Sequence, residues 1–205
     1  MRAIEVKLSQ GAKPGKGGVL PGAKITAEIA AIRGVDEGKD VLSPASHKCF
    51  STLDEMLDVI EEIAARTGLP VGIKSAIGKT HMWEELADKM VERGSGSDFI
   101  TIDGGEGGTG AAPPSFADHV SLPLFNGFAQ VYKIFQKRNL TDRIVFVASG
   151  KLGLPANAVR AFAMGADVAI IQSPVGMHVH MHACMHTYRH TRFRGIVLSL
   201  PPSLP

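Results

Sequence analysis

The stretch that most constrains the fold is an apolar run that stops at an acid and opens into glycine: Asp98-Phe99-Ile100-Thr101-Ile102-Asp103-Gly104-Gly105-Glu106-Gly107-Gly108-Thr109-Gly110-Ala111-Ala112-Pro113-Pro114. Phe99, Ile100 and Ile102 read as a strand buried on both faces, as in a parallel sheet. The five glycines between Gly104 and Gly110 let the backbone take positive φ and approach a ligand closely. Successive N–H groups in such a loop make a concave anion site. A flexible linker would be flanked by polar sequence, whereas this loop follows a buried strand directly and has Asp103 at its mouth. Gly105-x-Gly107-x-x-Gly110 matches the dinucleotide fingerprint literally, but Pro113 and Pro114 oppose the helix that the fingerprint requires. No Gly-Lys-Ser/Thr ending is present to make a nucleotide P-loop.

The rest of the chain repeats the theme of strand followed by polar loop. Residues 2–8 alternate like a strand and run into a basic glycine loop over residues 9–18, with Lys7 and Gln10 where a strand end presents them. Lys13 and Lys16 read as solvated loop charges. A short helical run over residues 25–32 and a brief strand at Val41-Leu42 follow. Ser51-Thr52-Leu53-Asp54-Glu55 supplies an N-cap with acids in the first turn, and Leu53, Met56, Leu57, Ile60, Ile63 and Ala64 then recur at helical spacing up to Gly68.

A strand over residues 69–74 ends on Lys74, and Trp83, Leu86, Ala87, Met90 and Val91 share a face of the next helix, which Gly94 ends. Beyond the central glycine loop come a helix from about residue 124 to 137 and a strand over 144–148 that opens at Ser149-Gly150-Lys151. A helix beginning at Pro155 and ended by Gly165 follows, then a last strand over 167–171. Strands alternating with helices through short connections specify a parallel α/β architecture. Polar residues and glycines collect at the C-terminal ends of the strands, where a barrel and a doubly wound sheet alike bind ligands. On this reading the side of the sheet that carries a site follows, and closure stays open.

Composition removes several function classes. A length of 205 residues with 44% hydrophobic content suits one globular unit. A net charge of +2 without a basic, aromatic-interleaved stripe excludes a nucleic-acid partner. No segment approaches the ~20 apolar residues of a membrane span, and the N-terminus lacks a signal-peptide core. Cys49 and Cys184 cannot make a disulfide scaffold, so a cytoplasmic location is expected.

Four stretches resemble the FMN-binding synthase domain of glutamate synthases and their shorter relatives: residues 7–15 with 17–22, Val71-Gly72-Ile73-Lys74, residues 103–113, and Ala148-Ser149-Gly150-Lys151. The resemblance implies a (β/α)8 TIM-barrel fold, of which this chain supplies roughly the last five or six strands. It implies FMN across the C-terminal mouth, with Lys7, Gln10, Lys74, Asp103, Ser149, Gly150 and Lys151 binding the cofactor and the phosphate lying by the last three. Lys74 takes the catalytic role on this reading, its cation stabilising negative charge that develops on the flavin. A strand-end lysine reaching solvent is the ordinary alternative. Gly107, Gly108, Thr109 and Gly110 resemble the family's substrate-binding loop.

The implied reaction is reductive formation of L-glutamate from 2-oxoglutarate and ammonia through 2-iminoglutarate. The reductant would come from an electron-donor protein or an NAD(P)H-oxidising subunit. As a fragment the chain is expected to be inactive by itself. The other readings are a non-catalytic phosphate-ligand binding module and a metal-binding protein defined by its histidine tail. Residues 1–171 form the expected barrel segment, and residues 172–205 a divergent His- and Pro-rich tail. The lone Cys184 cannot replace the family's three-cysteine motif, so no iron–sulfur cluster is expected. His178, His180, His182, His186 and His190 could bind a metal by local spacing, but non-native sequence, such as a reading-frame slip or truncated gene model leaves, is the preferred explanation, and no metal site is assigned.

Overall fold

The computed structural model describes residues 2–106 and 112–171. In chain order the elements are β1 (Ile4–Lys7), β2 (Val19–Leu20), α1 (Ala27–Arg33), β3 (Val41–Leu42), α2 (Leu53–Thr67), β4 (Val71–Ala76), α3 (His81–Arg93), β5 (Phe99–Asp103), α4 (Leu124–Gln136), β6 (Val145–Ser149), α5 (Pro155–Ala163) and β7 (Val168–Ile170). Strands β1, β4, β5, β6 and β7 form one sheet in that order, every neighbouring pair parallel. Each new strand is added on the same side of the last. A doubly wound sheet reverses this progression at a switch point, and none occurs among the described residues.

Because the progression never reverses and crossovers between parallel strands are right-handed, the helices stack on one face. Alternate strand residues meet them there: Val71 and Ile73, Ile100 and Ile102, and Phe146 and Ala148 join Met56, Leu57 and Ile60 of α2, Trp83 and Leu86 of α3, and Phe128, Val131 and Phe135 of α4 in one apolar cluster. Phe146 sits at its aromatic centre, edge-on to Tyr132 at 5.2 Å and Phe135 at 5.7 Å between ring centroids. Outside this core, Asp54 and Asp58 of α2 pair with Lys89 and Arg93 of α3, and Asp88 of α3 with Arg138 just beyond α4. These bridges lock the helices side by side.

The helix signals act as their chemistry requires. Thr52 and Glu55 form a reciprocal capping box at the start of α2, and Gly68 ends it in the left-handed conformation at φ 68°. The strand at Val41–Leu42 has a partner that periodicity did not disclose: it pairs antiparallel with Val19–Leu20 as a separate two-stranded ladder. Two residues per strand are too few for an alternating pattern.

Candidate functional site

The residues between those that face the helices point to the other side of the sheet. Register sets them in rows: Lys7 is paired with Lys74, Lys74 with Thr101, Ala76 with Asp103, and Asp103 with Ser149. Neighbours in a parallel ladder share a face, so four adjacent strands deliver Lys7, Lys74, Thr101, Asp103 and Ser149 to one polar surface near their C-terminal ends. The sequence placed Lys7, Lys74, Asp103 and Ser149 at strand ends; the register brings them together with Thr101.

Asp103 is the hub. Its Oδ1 accepts the Ser149 hydroxyl at 2.6 Å and lies 3.3 Å from the Lys74 Nζ, while Oδ2 accepts the Gly11 backbone N–H at 2.8 Å. The Lys74 and Asp103 side chains are 19% and 12% exposed, so the pair is mostly shielded from water yet open on one side. Lower on the same face, the Thr101 hydroxyl donates to Glu5 at 2.6 Å, and the Phe99 ring lies over Gly72, where a Cβ would overlap it.

Lys7 stands beside Lys74 and donates to the Gln10 side chain at 3.1 Å. Burial, and then the neighbouring Lys74 ammonium, push the Lys7 ammonium below the ordinary lysine range, with Asp103 acting in the opposite direction. Two cations side by side on adjacent strands are what an anionic or electron-rich ligand would relieve.

The strand-end loops approach one another backbone to backbone. A Cβ on Gly11 would overlap the Gly104 carbonyl, and one on Gly104 would overlap Glu106. The Gly104 N–H donates to the Ser149 carbonyl at 2.7 Å. Glu106 turns away from the polar face and accepts the Leu124 N–H on both oxygens at 2.7 and 2.8 Å. It thereby serves α4 as a distant N-cap where the neighbouring Pro123 has no capping side chain. Gly150, at φ 149°, packs against Glu106, Leu124 and Gly104. Lys151 adopts φ 43° and directs its Nζ toward Asp118 at 3.5 Å on the exposed surface.

The expected phosphate group of residues is thus divided: Ser149 lies with Asp103, and Lys151 reaches outward. Gly107, Gly108, Thr109 and Gly110 and the histidine tail lie outside the described residues. Sequence reasoning missed Gly11 as a partner of Asp103, Glu106 as the cap of α4, and the Ser9–Ser75 hydroxyl contact at 3.0 Å that fastens the loop after β1 to β4. The glycine at position 11 was a usable signal, since only the absence of a Cβ permits that approach.

A family model described as the conserved region in glutamate synthase matches residues 1–195. The chain belongs to the glutamate synthase family. The match continues past residue 171, where the described residues end. Among individual relatives, the archaeal glutamate synthase (NADPH) of Methanocaldococcus jannaschii is 36% identical over 201 residues, 97% of this chain and 39% of that protein. The glutamate synthase large subunit-like protein YerD of Bacillus subtilis is 42% identical over 167 residues, 82% of this chain and 32% of the relative. The archaeal-type glutamate synthase (NADPH) of Thermotoga maritima is 36% identical over 188 residues, 91% and 36% respectively. The chain therefore spans about a third of the length of these curated relatives. No helix among the described residues is long and apolar enough to cross a membrane.

Proposed function

We propose that this chain forms part of the flavin-binding face of a glutamate synthase-type oxidoreductase, a (β/α)8 barrel that reduces 2-iminoglutarate, formed from 2-oxoglutarate and ammonia, to L-glutamate. The observation that carries this reading is the polar face, opposite the helices of the core, on which Lys7, Lys74, Asp103 and Ser149 meet at the ends of four adjacent parallel strands. A steady strand progression with helices on one face and polar side chains on the other is the arrangement of an arc of barrel wall.

The residues fit FMN on electrostatic grounds. Lys7 and Lys74 stand side by side, and their mutual repulsion is what lowers the Lys7 affinity for its proton after burial. When bound, FMN supplies the redox chemistry of the reaction. Lys74, fixed by Asp103 and partly shielded from water, presents a cation whose electrostatic effect is strengthened by that shielding. Gln10, bound to Lys7, adds an amide N–H₂ donor at the edge of the same surface. Gly150 and Lys151 contribute a loop turned through positive φ, with the Lys151 ammonium able to exchange its exposed Asp118 partner for a phosphate. Gly107, Gly108, Thr109 and Gly110 complete the proposal as the substrate loop. The reductant is assigned to an electron-donor protein or NAD(P)H-oxidising subunit.

Titration of the purified chain with FMN, followed by quenching of flavin fluorescence and by the visible spectrum, tests the reading. Saturable binding that Lys74→Met weakens is expected. A flavin that stays fully fluorescent at every protein concentration would overturn it.

A further inference from the structure

We infer that Asp103 is a positioning residue, which holds the Lys74 ammonium over the polar face and clamps the loop after β1 onto β5 rather than contacting a ligand itself. Both of its oxygens are taken up inside the chain: Oδ1 by the Ser149 hydroxyl at 2.6 Å and by Lys74 at 3.3 Å, and Oδ2 by the Gly11 N–H at 2.8 Å. Each partner belongs to a different strand or strand-end loop: the loop after β1, β4 itself and the end of β6. One carboxylate therefore ties three separate pieces of backbone to β5. Its remaining lone-pair capacity is small, and its charge would repel a phosphate or a reduced flavin approaching along the same face.

The glycines on either side show that the clamp is built into the backbone. Gly11 lies so close to the Gly104 carbonyl that no Cβ fits between them, and the Gly104 N–H in turn bonds the Ser149 carbonyl at 2.7 Å. Asp103 thus sits at the centre of a seam joining the loops of β1, β5 and β6. Without its negative charge, Lys74 would lose the ion-pair partner it has among the described residues and be free to rotate away from the position it must keep.

The charge also governs the neighbouring lysine. The groups that face Lys7 are Lys74 on β4, Asp103 on β5, Lys13 in the loop after β1 and Glu5 on β1 itself; the lysines and burial lower its proton affinity, and the two carboxylates raise it. Neutralising Asp103 removes one of the two carboxylates that favour the charged Lys7. Lys7 therefore reports the charge at Asp103 without belonging to the clamp.

The inference rests on the proposed flavin reading only for what Lys74 serves, and the test separates the two. In the chain labelled with ¹³C/¹⁵N-lysine and ¹⁵N-glycine, NMR follows the Lys7 titration, exchange of the Lys74 ammonium protons and exchange of the Gly11 amide. Asp103→Asn, which keeps its one oxygen for the Gly11 N–H, turns its N–H₂ toward the Ser149 oxygen as a donor and loses the charge, is expected to leave the Gly11 amide protected. It should also shift the Lys7 midpoint to lower pH and speed Lys74 ammonium exchange at least several-fold. Asp103→Ala should show those two changes and lose Gly11 protection as well. If Asp103→Asn leaves both lysines unchanged, the inference is overturned.

Should the variants fail to fold, the unmodified chain decides. Lys74 ammonium protons that exchange as fast as those of the exposed Lys151 would equally overturn the inference, and slower exchange at Lys74 supports it. FMN titration is scored separately. Lysine shifts without flavin binding support the clamp and remove the flavin reading, whereas equal flavin binding by Asp103→Asn and the parent, with unshifted lysines, does the reverse.

Discussion

The two faces of the parallel sheet are made by the same five strands and differ in almost everything else. On one, Val71, Ile73, Ile100, Ile102, Phe146 and Ala148 are sealed by α2, α3 and α4; on the other, Lys7, Lys74, Thr101, Asp103 and Ser149 alternate with them. The first face is held by burial of apolar area, a non-directional force that tolerates conservative exchange. The second is held by hydrogen bonds and charge, which are directional and fail when a single atom is lost. Stability should therefore concentrate on the helix-covered face and ligand recognition on the other, with few residues serving both.

The largest expected effect breaks the covered face. Phe146→Ala removes a fully buried ring that packs edge-on against Tyr132 and Phe135, and should destabilise by about 3–5 kcal/mol in urea denaturation. A loss below about 1 kcal/mol would show that the two faces do not divide the work as described. Next comes the seam between the loops. Gly11→Ala places a methyl group where the Gly104 carbonyl already stands, so the loop must move and the bond from the Gly11 N–H to Asp103 must break. A cost of roughly 1–3 kcal/mol is expected for the orphaned buried group, together with faster exchange of that amide.

The cap on α4 is a smaller matter. Glu106→Ala leaves the Leu124 N–H without its carboxylate acceptor and should cost about 1 kcal/mol, as other lost N-caps do; a thermal melt measures it. A change of zero would mean that water replaces the carboxylate without penalty.

Lys7 provides a test of sign. Its proton affinity is lowered in the folded protein, first by burial and then by Lys74, so between its folded and unfolded pKa values the unfolded chain binds more protons. Stability contributed by this group consequently rises as pH increases through the folded pKa and levels off above the ordinary lysine range. Lys7→Met should be slightly more stable than the parent at neutral pH, and the advantage should shrink at alkaline pH. An advantage that grows with pH would contradict the assigned direction.

The smallest effect sharpens the comparison most. Lys151 and Asp118 form an exposed pair at 3.5 Å, so Lys151→Ala should change stability by no more than about 0.5 kcal/mol, while the proposed phosphate role requires a measurable loss of FMN affinity. A variant that loses stability but keeps its affinity would reverse the roles of the two faces at this position.

What the sequence determined by itself was local. The capping box of Thr52 and Glu55, the helical spacing from Leu53 to Ala64 and the left-handed stop at Gly68 lie within a few residues of one another, and short-range patterns of this kind fix helix α2 wherever it docks. The apolar run ending at Asp103 announced β5 in the same way. The resemblance of residues 7–22 and 103–113 to glutamate synthases was legible because motifs, too, are contiguous. Tertiary structure decided the rest. Gly11 and Ser149 stand 92 and 46 residues from Asp103 in the chain, and the Lys7–Lys74 adjacency exists only because β1 pairs with β4 in one particular register. A shift of one residue in that register would turn Lys7 toward the helices and Val6 toward the polar face. No local pattern encodes the register; it is selected when the apolar faces of all five strands must meet their helices at once, and the polar site is assembled by the same choice.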